Sequence, residues 1–360
     1  MTDARPVQPA PHALTTPAEL RSAGLVAQTD PAALAEVARH FRIRITPAMQ
    51  DALSAAETAT APNPVAAQFV PSAAELVTRP EELLDPIGDI SHSPVPGLTH
   101  RYPDRVIVHI TKTCDVYCRF CFRRETVGET GPLSEPELQG AIDYVARTPA
   151  IREVILTGGD PLTLSPRRLS SALTRFAAIA HVTTLRIHTR VPVVARGRIG
   201  PDLVALLSGL PIPVWVVLHS NHATELTAEA RAAIARLVDA GVPMLSQSVL
   251  LRGVNDSHEA LVDLFRALQD NRVKPYYLHH CDLARGTSHF RTTIDEGRAL
   301  VRGLRGPLSG AAIPHYVLDI PGGYGKVPIT ADHFTPGARP GLWKVTDWQG
   351  MVHDYADPER

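Results

Sequence analysis

ITKTCDVYCRFCFRRET, Ile110 to Thr126, sets Cys114, Cys118 and Cys121 in the spacing CxxxCxxC at the end of an apolar run made by Val106, Ile107, Val108 and Ile110. A tight loop after such a run brings three thiolates to where they can close on one iron-sulfur cluster. The fourth iron is then left without a protein ligand. An open iron can bind and reductively cleave a small molecule, whereas a cluster held by four cysteines passes electrons. Disulfides fit the run poorly, because the chain is long and has one further cysteine, Cys281. A tetrahedral zinc would want a fourth soft ligand and CxxC pairs. Thiols buried by chance would not be flanked by Tyr117, Arg119, Phe120, Arg123 and Arg124.

The three-cysteine spacing resembles that of the radical S-adenosylmethionine enzymes. From Arg105 onward, short apolar runs alternate with amphipathic segments. The runs are 105–110, 153–157, 184–189, 214–219, 244–250 and 273–279, and helices are expected over 135–147, 166–180, 201–208, 228–240 and 258–271. Strands joined by helical crossovers make a parallel sheet, with the runs reading as strands buried on both faces. A doubly wound sheet and an incomplete barrel share this periodicity. Cys114, Asp160, His188 with Arg190, His219 with His222, Gln247 and Asp282 all fall at or just past strand C-termini, the catalytic face of a β/α barrel. The expected fold is therefore α/β, a partial (β/α)6 barrel.

The 360 residues carry a net charge of −1 with both signs interspersed, which points away from a nucleic-acid groove or a membrane surface. No basic segment leads into an apolar core at the N-terminus, and no stretch is apolar enough to span a bilayer, so a cytoplasmic protein is expected. Met1 to about Ala18 reads as a loosely held arm. Helices are expected from Pro31 through Phe41 and from Thr46 to Ala56, and the proline-rich segment from Pro62 to Pro103 as an extended wrap. The expected organisation is an N-terminal helical extension over 1–95, made of an arm and a helical and extended wrap, then the barrel over 96–310 and a C-terminal segment over 311–360.

Two further motifs stand beside the cysteines. Gly158-Gly159-Asp160 after the second run lets backbone approach a ligand closely, and its acid can accept from an ammonium group; it is also an ordinary strand-to-helix turn. His219 and Gln247 either line a nucleoside pocket or are polar residues satisfied inside a barrel mouth. Lys326, in PGGYGK, is a surface lysine on a turn or a lysine poised to form a Schiff base, with glycines clearing room for a ring.

HSPVPGLTHRYPDRV (from His92), the cysteine loop with Arg123 and Arg124, LTGGDPL, QSVLLRGVND, PYYLHHCDL and PGGYGKVPI stand in one order along the chain. Together they resemble the lysine 2,3-aminomutase family, from about Pro62 through the tail. The resemblance implies a [4Fe-4S] cluster on Cys114, Cys118 and Cys121 with S-adenosylmethionine on the open iron, its amino group held at Gly158, Gly159 and Asp160. It implies pyridoxal phosphate on Lys326, in a C-terminal pyridoxal-phosphate-binding tail, with Arg101 and Arg105 anchoring the phosphate. Arg123 would pair with the substrate carboxylate, and Asp282 and Asp319 with a distal ammonium. A helix cap and a turn residue are the ordinary readings of those two acids taken singly.

The implied reaction moves the α-amino group of lysine to the β-carbon, with an electron donor such as flavodoxin or ferredoxin and a homo-oligomeric enzyme. Arginine is the closest alternative substrate, because the same acids could hold a guanidinium. A shorter branch of the family makes β-lysine for elongation factor P but tends to lack the PGGxGK turn and the acid pair. A plain iron-sulfur electron carrier would leave Lys326 without a purpose. The chain departs from the family where Ser257 follows Val254-Asn255-Asp256 and no cysteine follows Cys281, so no interfacial zinc is expected. Phe120 stands where some relatives have histidine, and His279 replaces an aromatic residue.

Overall fold

The computed structural model describes residues 12–26, 29–56, 63–330, 333–340, 342–347 and 349–356. Most of the expected N-terminal arm, residues 1–11, lies outside them. Thr16 and Glu19 form a capping box at the start of α1 (Pro17–Ser22), so helix begins inside the stretch expected to be a loose arm. Helices α2 (Pro31–His40) and α3 (Pro47–Ala56) come next, where they are expected.

Between Pro62 and Pro103 the structure corrects the reading of a plain extended wrap. Asn63 accepts from the N–H groups of Val65 and Ala66, and Pro64 sits inside the first turn of α4 (Pro64–Phe69). Proline there starts a helix, since its missing N–H is one that no helix start uses. Two short 3-10 turns come after it, Ala73–Leu76 and Ile90–His92, and then strand β1 (Leu98–Tyr102).

The main sheet has its strands in simple chain order. β1 pairs antiparallel with β2 (Arg105–Thr111). Then come the parallel strands β3 (Glu153–Gly158), β4 (Thr184–Thr189), β5 (Val214–His219), β6 (Met244–Leu250), β7 (Lys274–His280) and β8 (His315–Asp319). The crossovers run through α5 (Glu135–Ala146), α6 (Pro166–Ala177), the single turn α7 (Val191–Val194) with α8 (Pro201–Ser208), α9 (Ala228–Asp239), α10 (His258–Asp270) and α11 (Ile294–Gly303). Ser or Thr caps α5, α6, α9, α10 and α11, each accepting from an N–H of the first turn.

A doubly wound sheet would reverse its strand order at a switch point, and this one does not. Instead it curls. One cavity of about 570 Å³ is lined from every strand, from Thr99 on β1 to Asp319 on β8 and Lys326 on β9 (Lys326–Pro328). The six expected strand-helix units are present, and β8 adds a seventh parallel strand. The strands are not buried equally on both faces. In β2, β4 and β6 fully buried residues alternate with partly exposed ones. The first set, such as Val106, Val108, Leu185 and Ile187, belongs to the hydrophobic core, while Arg105, Ile107, Arg186 and His188 face the cavity. A half-barrel around an open space dictates that alternation. After β9, β10 (Phe334–Pro336), β11 (Leu342–Thr346) and β12 (Val352–Ala356) form a separate antiparallel sheet.

Candidate active site

The three cysteines leave β2 on a loop that is stitched down on two sides. Tyr117 N–H donates to the Arg44 carbonyl and Arg119 N–H to that of Gln68, so the N-terminal segment holds its far wall. On the other side, Gly159 N–H donates to Thr111 O and Asp160 N–H to Thr113 O. A β-carbon on Gly159 would collide with the Thr113 backbone, and Gly158 has φ +106°. The glycines of the GGD motif thus serve the approach of β3 to the cysteine loop, a backbone-to-backbone contact, and they also line the cavity.

Buried charges surround the loop. Glu75 accepts from Arg119 Nε at 3.0 Å and Nη2 at 2.6 Å, and from Arg124 Nη2. Arg190, almost fully buried, donates from Nη1 to Cys118 Sγ at 2.9 Å and from Nη2 to Gln68 and Glu225, both at 2.6 Å. Asp160 accepts from Leu162 N–H, Thr189 Oγ1 and Arg190 N–H. Its carboxyl, expected to take an ammonium, is therefore already engaged within the fold, and burial pushes it up to about 6. Burial likewise raises Cys114 well above the ordinary thiol value and Cys121 to about 11. Three thiolates are costly here until a metal compensates them.

Across the cavity, Lys326 and Asp319 are register partners of the β8–β9 pair, and Lys326 Nζ donates to Asp319 Oδ1 at 2.5 Å. His279 Nδ1 lies 3.1 Å from the other oxygen. Burial works against the Asp319 charge, but the His279 hydrogen bond and Lys326 outweigh it and hold this carboxyl well below its usual range. Asp282 goes the other way: burial and the nearby Asp319 push it up to about 7 against the pull of Lys326 and Arg123. Gly325, at φ +93°, leaves room for the Tyr102 ring, whose hydroxyl accepts from Lys326 N–H at 2.8 Å. The glycine turn thus packs on protein, with the amine facing the cavity.

Arg101 and Arg123 share one acid that the sequence did not single out. Asp89 accepts from Arg123 Nε and Nη2 at 3.0 and 2.8 Å through Oδ2, and from Arg101 Nη2 at 3.2 Å through Oδ1. Arg101 also donates to Ile87 O, and its Nε is buried with no partner among the described residues. Arg105 pairs with Asp104 and lies over the Tyr102 ring. All three arginines line the cavity. Gln247 and His219 line it too, Gln247 bonded to His188 and His219 close to Asn221 and edge-on to Phe120. Every sequence-predicted site residue therefore borders this one space. Asp89, Glu75, Gln68 and Glu225 are additions; His188 and Arg190, which the sequence places at strand ends, find their partners here, and His222 does not line the cavity. Arg119, Arg124 and Arg190 were visible as charges beside a motif, but their acids come from distant segments.

Residues 108–265 match the family model of the Radical SAM superfamily. The chain is 42% identical over 297 residues to L-lysine 2,3-aminomutase of Fusobacterium nucleatum, covering 82% of this chain and 69% of that one. It is 40% identical over 326 residues to L-lysine 2,3-aminomutase of Clostridium subterminale, covering 90% and 77%. It is also 36% identical over 318 residues to glutamate 2,3-aminomutase of Clostridioides difficile, covering 88% and 74%. The chain belongs to the lysine 2,3-aminomutase family. It is accordingly an enzyme of the isomerase class, built on the radical S-adenosylmethionine fold.

That family implies a [4Fe-4S] cluster and S-adenosylmethionine, and the residues present fit both. The cysteines are all free, partly exposed and on the cavity wall. Among the described residues no three His, Cys, Asp or Glu side chains are grouped to hold a single metal ion. A cubane, bound one cysteine per iron, needs its sulfurs spread rather than convergent. Arg190 on Cys118 is the kind of hydrogen bond to sulfur by which a protein tunes a cluster. Among the described residues no helix is long and apolar enough to cross a membrane.

Proposed function

We propose that this member of the lysine 2,3-aminomutase family acts on L-lysine itself, moving its α-amino group to the β-carbon to give β-lysine. In this reading Cys114, Cys118 and Cys121 hold the cluster and Lys326 carries pyridoxal phosphate. The observation that supports it is the sharing of one cavity by the three cysteines, a lysine amine, an arginine and two carboxylates. Arg101 and Arg105, both on the cavity wall, suit a phosphate.

When bound, the cluster with S-adenosylmethionine supplies a radical that abstracts hydrogen, and pyridoxal phosphate carries the amino group as it moves. The chain's own residues position the substrate. Arg123 presents Nε and Nη2 as a fork for the α-carboxylate, with Asp89 fixing its angle. Asp319 Oδ1 accepts from Lys326; with that amine holding pyridoxal phosphate, Oδ1 would be free for the distal ammonium of the substrate. His279 stays on Oδ2 and keeps the carboxylate aimed. Two acids at this end favour a cation over the distal carboxylate of glutamate.

Anaerobically reconstituted protein, given dithionite, S-adenosylmethionine and pyridoxal phosphate, is expected to convert L-lysine to β-lysine and leave glutamate untouched. Turnover of arginine with lysine inert would assign the acids to a guanidinium. No turnover of any amino acid would overturn the reading.

A further inference from the structure

The cysteine loop has a second side. Cys114, Cys118 and Cys121 line the large cavity and also a small one, of about 50 Å³, whose other wall includes Phe41, Arg42 and Tyr117. Arg42 is exposed and Tyr117 half-buried, so one layer of side chains stands between the sulfurs and solvent there. That layer is a single surface. The Lys112 carbonyl accepts from Gly128 N–H at 2.6 Å, and a β-carbon on Gly128 would meet both Arg42 Cδ and Tyr117 Oη, each at 2.6 Å. Arg44 accepts from Tyr117 N–H through its carbonyl and donates from Nε to Asp115 O, and Arg198 Nε lies 2.6 Å from Asp115 Oδ2. Four cations thus share the face. Lys112 and Arg198, 43% and 44% exposed, each have one acid within reach, Glu129 and the buried Asp115. Arg42 and Arg44 form no ion pair among the described residues. The chain as a whole carries −1, so this positive excess is local.

A cluster that cleaves S-adenosylmethionine reductively takes each electron from a donor outside the chain. The cavity side of the loop is where substrate and S-adenosylmethionine would sit, which leaves the outer side for the electron. We propose that the face made by Arg42, Arg44, Lys112 and Arg198 around Tyr117 is the docking surface for a small acidic electron-carrier protein. One electron leaves the reduced donor, which is oxidised, and enters the cluster, which is reduced. Exposed cations at such a contact speed the encounter with an acidic partner and fix its orientation more than they add affinity, and their effect falls as salt screens them. The face contains no residue of the large cavity's substrate end, so docking and substrate binding do not compete for side chains. The proposal rests on the cluster being held by the three cysteines. It does not depend on which amino acid is the substrate.

The test uses the full chain with its cluster reconstituted and a reduced acidic flavodoxin as the probe. Cluster reduction is followed by stopped-flow absorbance, and binding of the oxidised flavodoxin by calorimetry. Arg42→Glu with Lys112→Glu is expected to slow reduction at low salt roughly tenfold and to weaken flavodoxin binding, with the gap to wild type closing as salt rises. Arg42→Lys with Lys112→Arg, which keeps both charges, returns the wild-type rate. Iron content and reduction by photoreduced deazaflavin, a reductant too small to need a docking face, stay at the wild-type level. Arg302→Glu reverses an exposed charge on α11 and is expected to change nothing. A wild-type rate and affinity in the double reversal overturn the proposal. Equal slowing by Arg302→Glu also overturns it, since the effect would then belong to net charge. So does slowing with deazaflavin, or a loss of iron, in the double reversal, because the loop itself would then be disturbed. A change in the sedimentation of the enzyme alone would give the face to a second copy of the chain and overturn it as well. Replacing the three cysteines by alanine separates the proposal from the assignment beneath it: iron retained in full by that variant refutes the cluster site, whatever the charge reversals do.

Discussion

Asp89 carries two arginines on one carboxylate, and the pair joins the arm that suits a phosphate to the arm that suits a substrate. Burial works against its charge, but Arg123 and Arg101 outweigh it and keep the acid ionised. Asp89→Asn keeps the shape and removes the charge. It is expected to raise the KM for lysine about tenfold, the size of a hydrogen bond to a charged group, and to weaken pyridoxal phosphate binding in parallel. Steady-state kinetics and cofactor titration read the two effects; an unchanged KM would mean that Arg123 needs no help. Asp282 provides a pH signature. Pushed up to about 7, it loses its charge as the pH falls through that value, so the KM for lysine should climb on the acid side. Asp282→Asn should flatten that profile while raising KM throughout. Asp282 and Asp319 were visible in the sequence through the family resemblance. Asp89 was not, because DPIGD gives no local sign that Arg101 and Arg123 will fold back onto it.

The N-terminal elements brace the cysteine loop. Glu75, fully buried, carries Arg119 and Arg124, while Gln68 on α4 bonds Arg190 and, through its carbonyl, the Arg119 N–H. Burial raises the Glu75 carboxyl, but the two guanidinium groups outweigh it and leave it lowered. Its stabilisation is thus present above the ordinary carboxyl value and is lost as the pH falls through the lowered one. Glu75→Gln leaves two buried arginines poorly compensated and should cost about 3–5 kcal/mol, the usual penalty for breaking a buried pair. A lower thermal midpoint with less iron per chain is the expected result, and an unchanged midpoint would remove Glu75 from the brace. Gly159→Ala forces β3 off the Thr113 backbone and should also lower iron content, with Gly140→Ala, where a β-carbon meets nothing within 4 Å, as the control. At this scale the sequence spoke clearly about strands and crossover helices, which have apolar periodicity and caps. It misread the proline-rich wrap, because the same residue that breaks a helix interior opens a helix at its first turn.

At the scale of the molecule, the half-barrel was foreseeable from polar residues gathering at strand C-termini, but the small β10–β11–β12 sheet was not. Its strands are short, and Phe334, Val352 and Tyr355 stay more than half exposed, so no apolar alternation announces them. A chain ending at Thr330 keeps the whole cavity wall and should retain both its cluster and its pyridoxal phosphate absorbance. Loss of either would show that the small sheet supports the site. β8 escaped notice for a different reason: it comes after α11 and a loop of Gly, Pro and Ser, and it offers only Tyr316, Val317 and Leu318 as an apolar run.

The brace around the cysteines also has a consequence in time. Ribosomes make chains from the N-terminus, so Gln68 and Glu75 have emerged before Cys114, while Gly159, Asp160 and Arg190, which hold the loop from its other side, come later. The hairpin bearing Lys326 comes out only after every parallel strand of the sheet has been made. On the proposed reading, the cysteine half of the site is thus made before the chain has the lysine that would carry the second cofactor. A fragment ending before that hairpin would hold the proposed cluster ligands without the lysine proposed for the second cofactor, so completion of the last edge strand is what would join the two halves of the site.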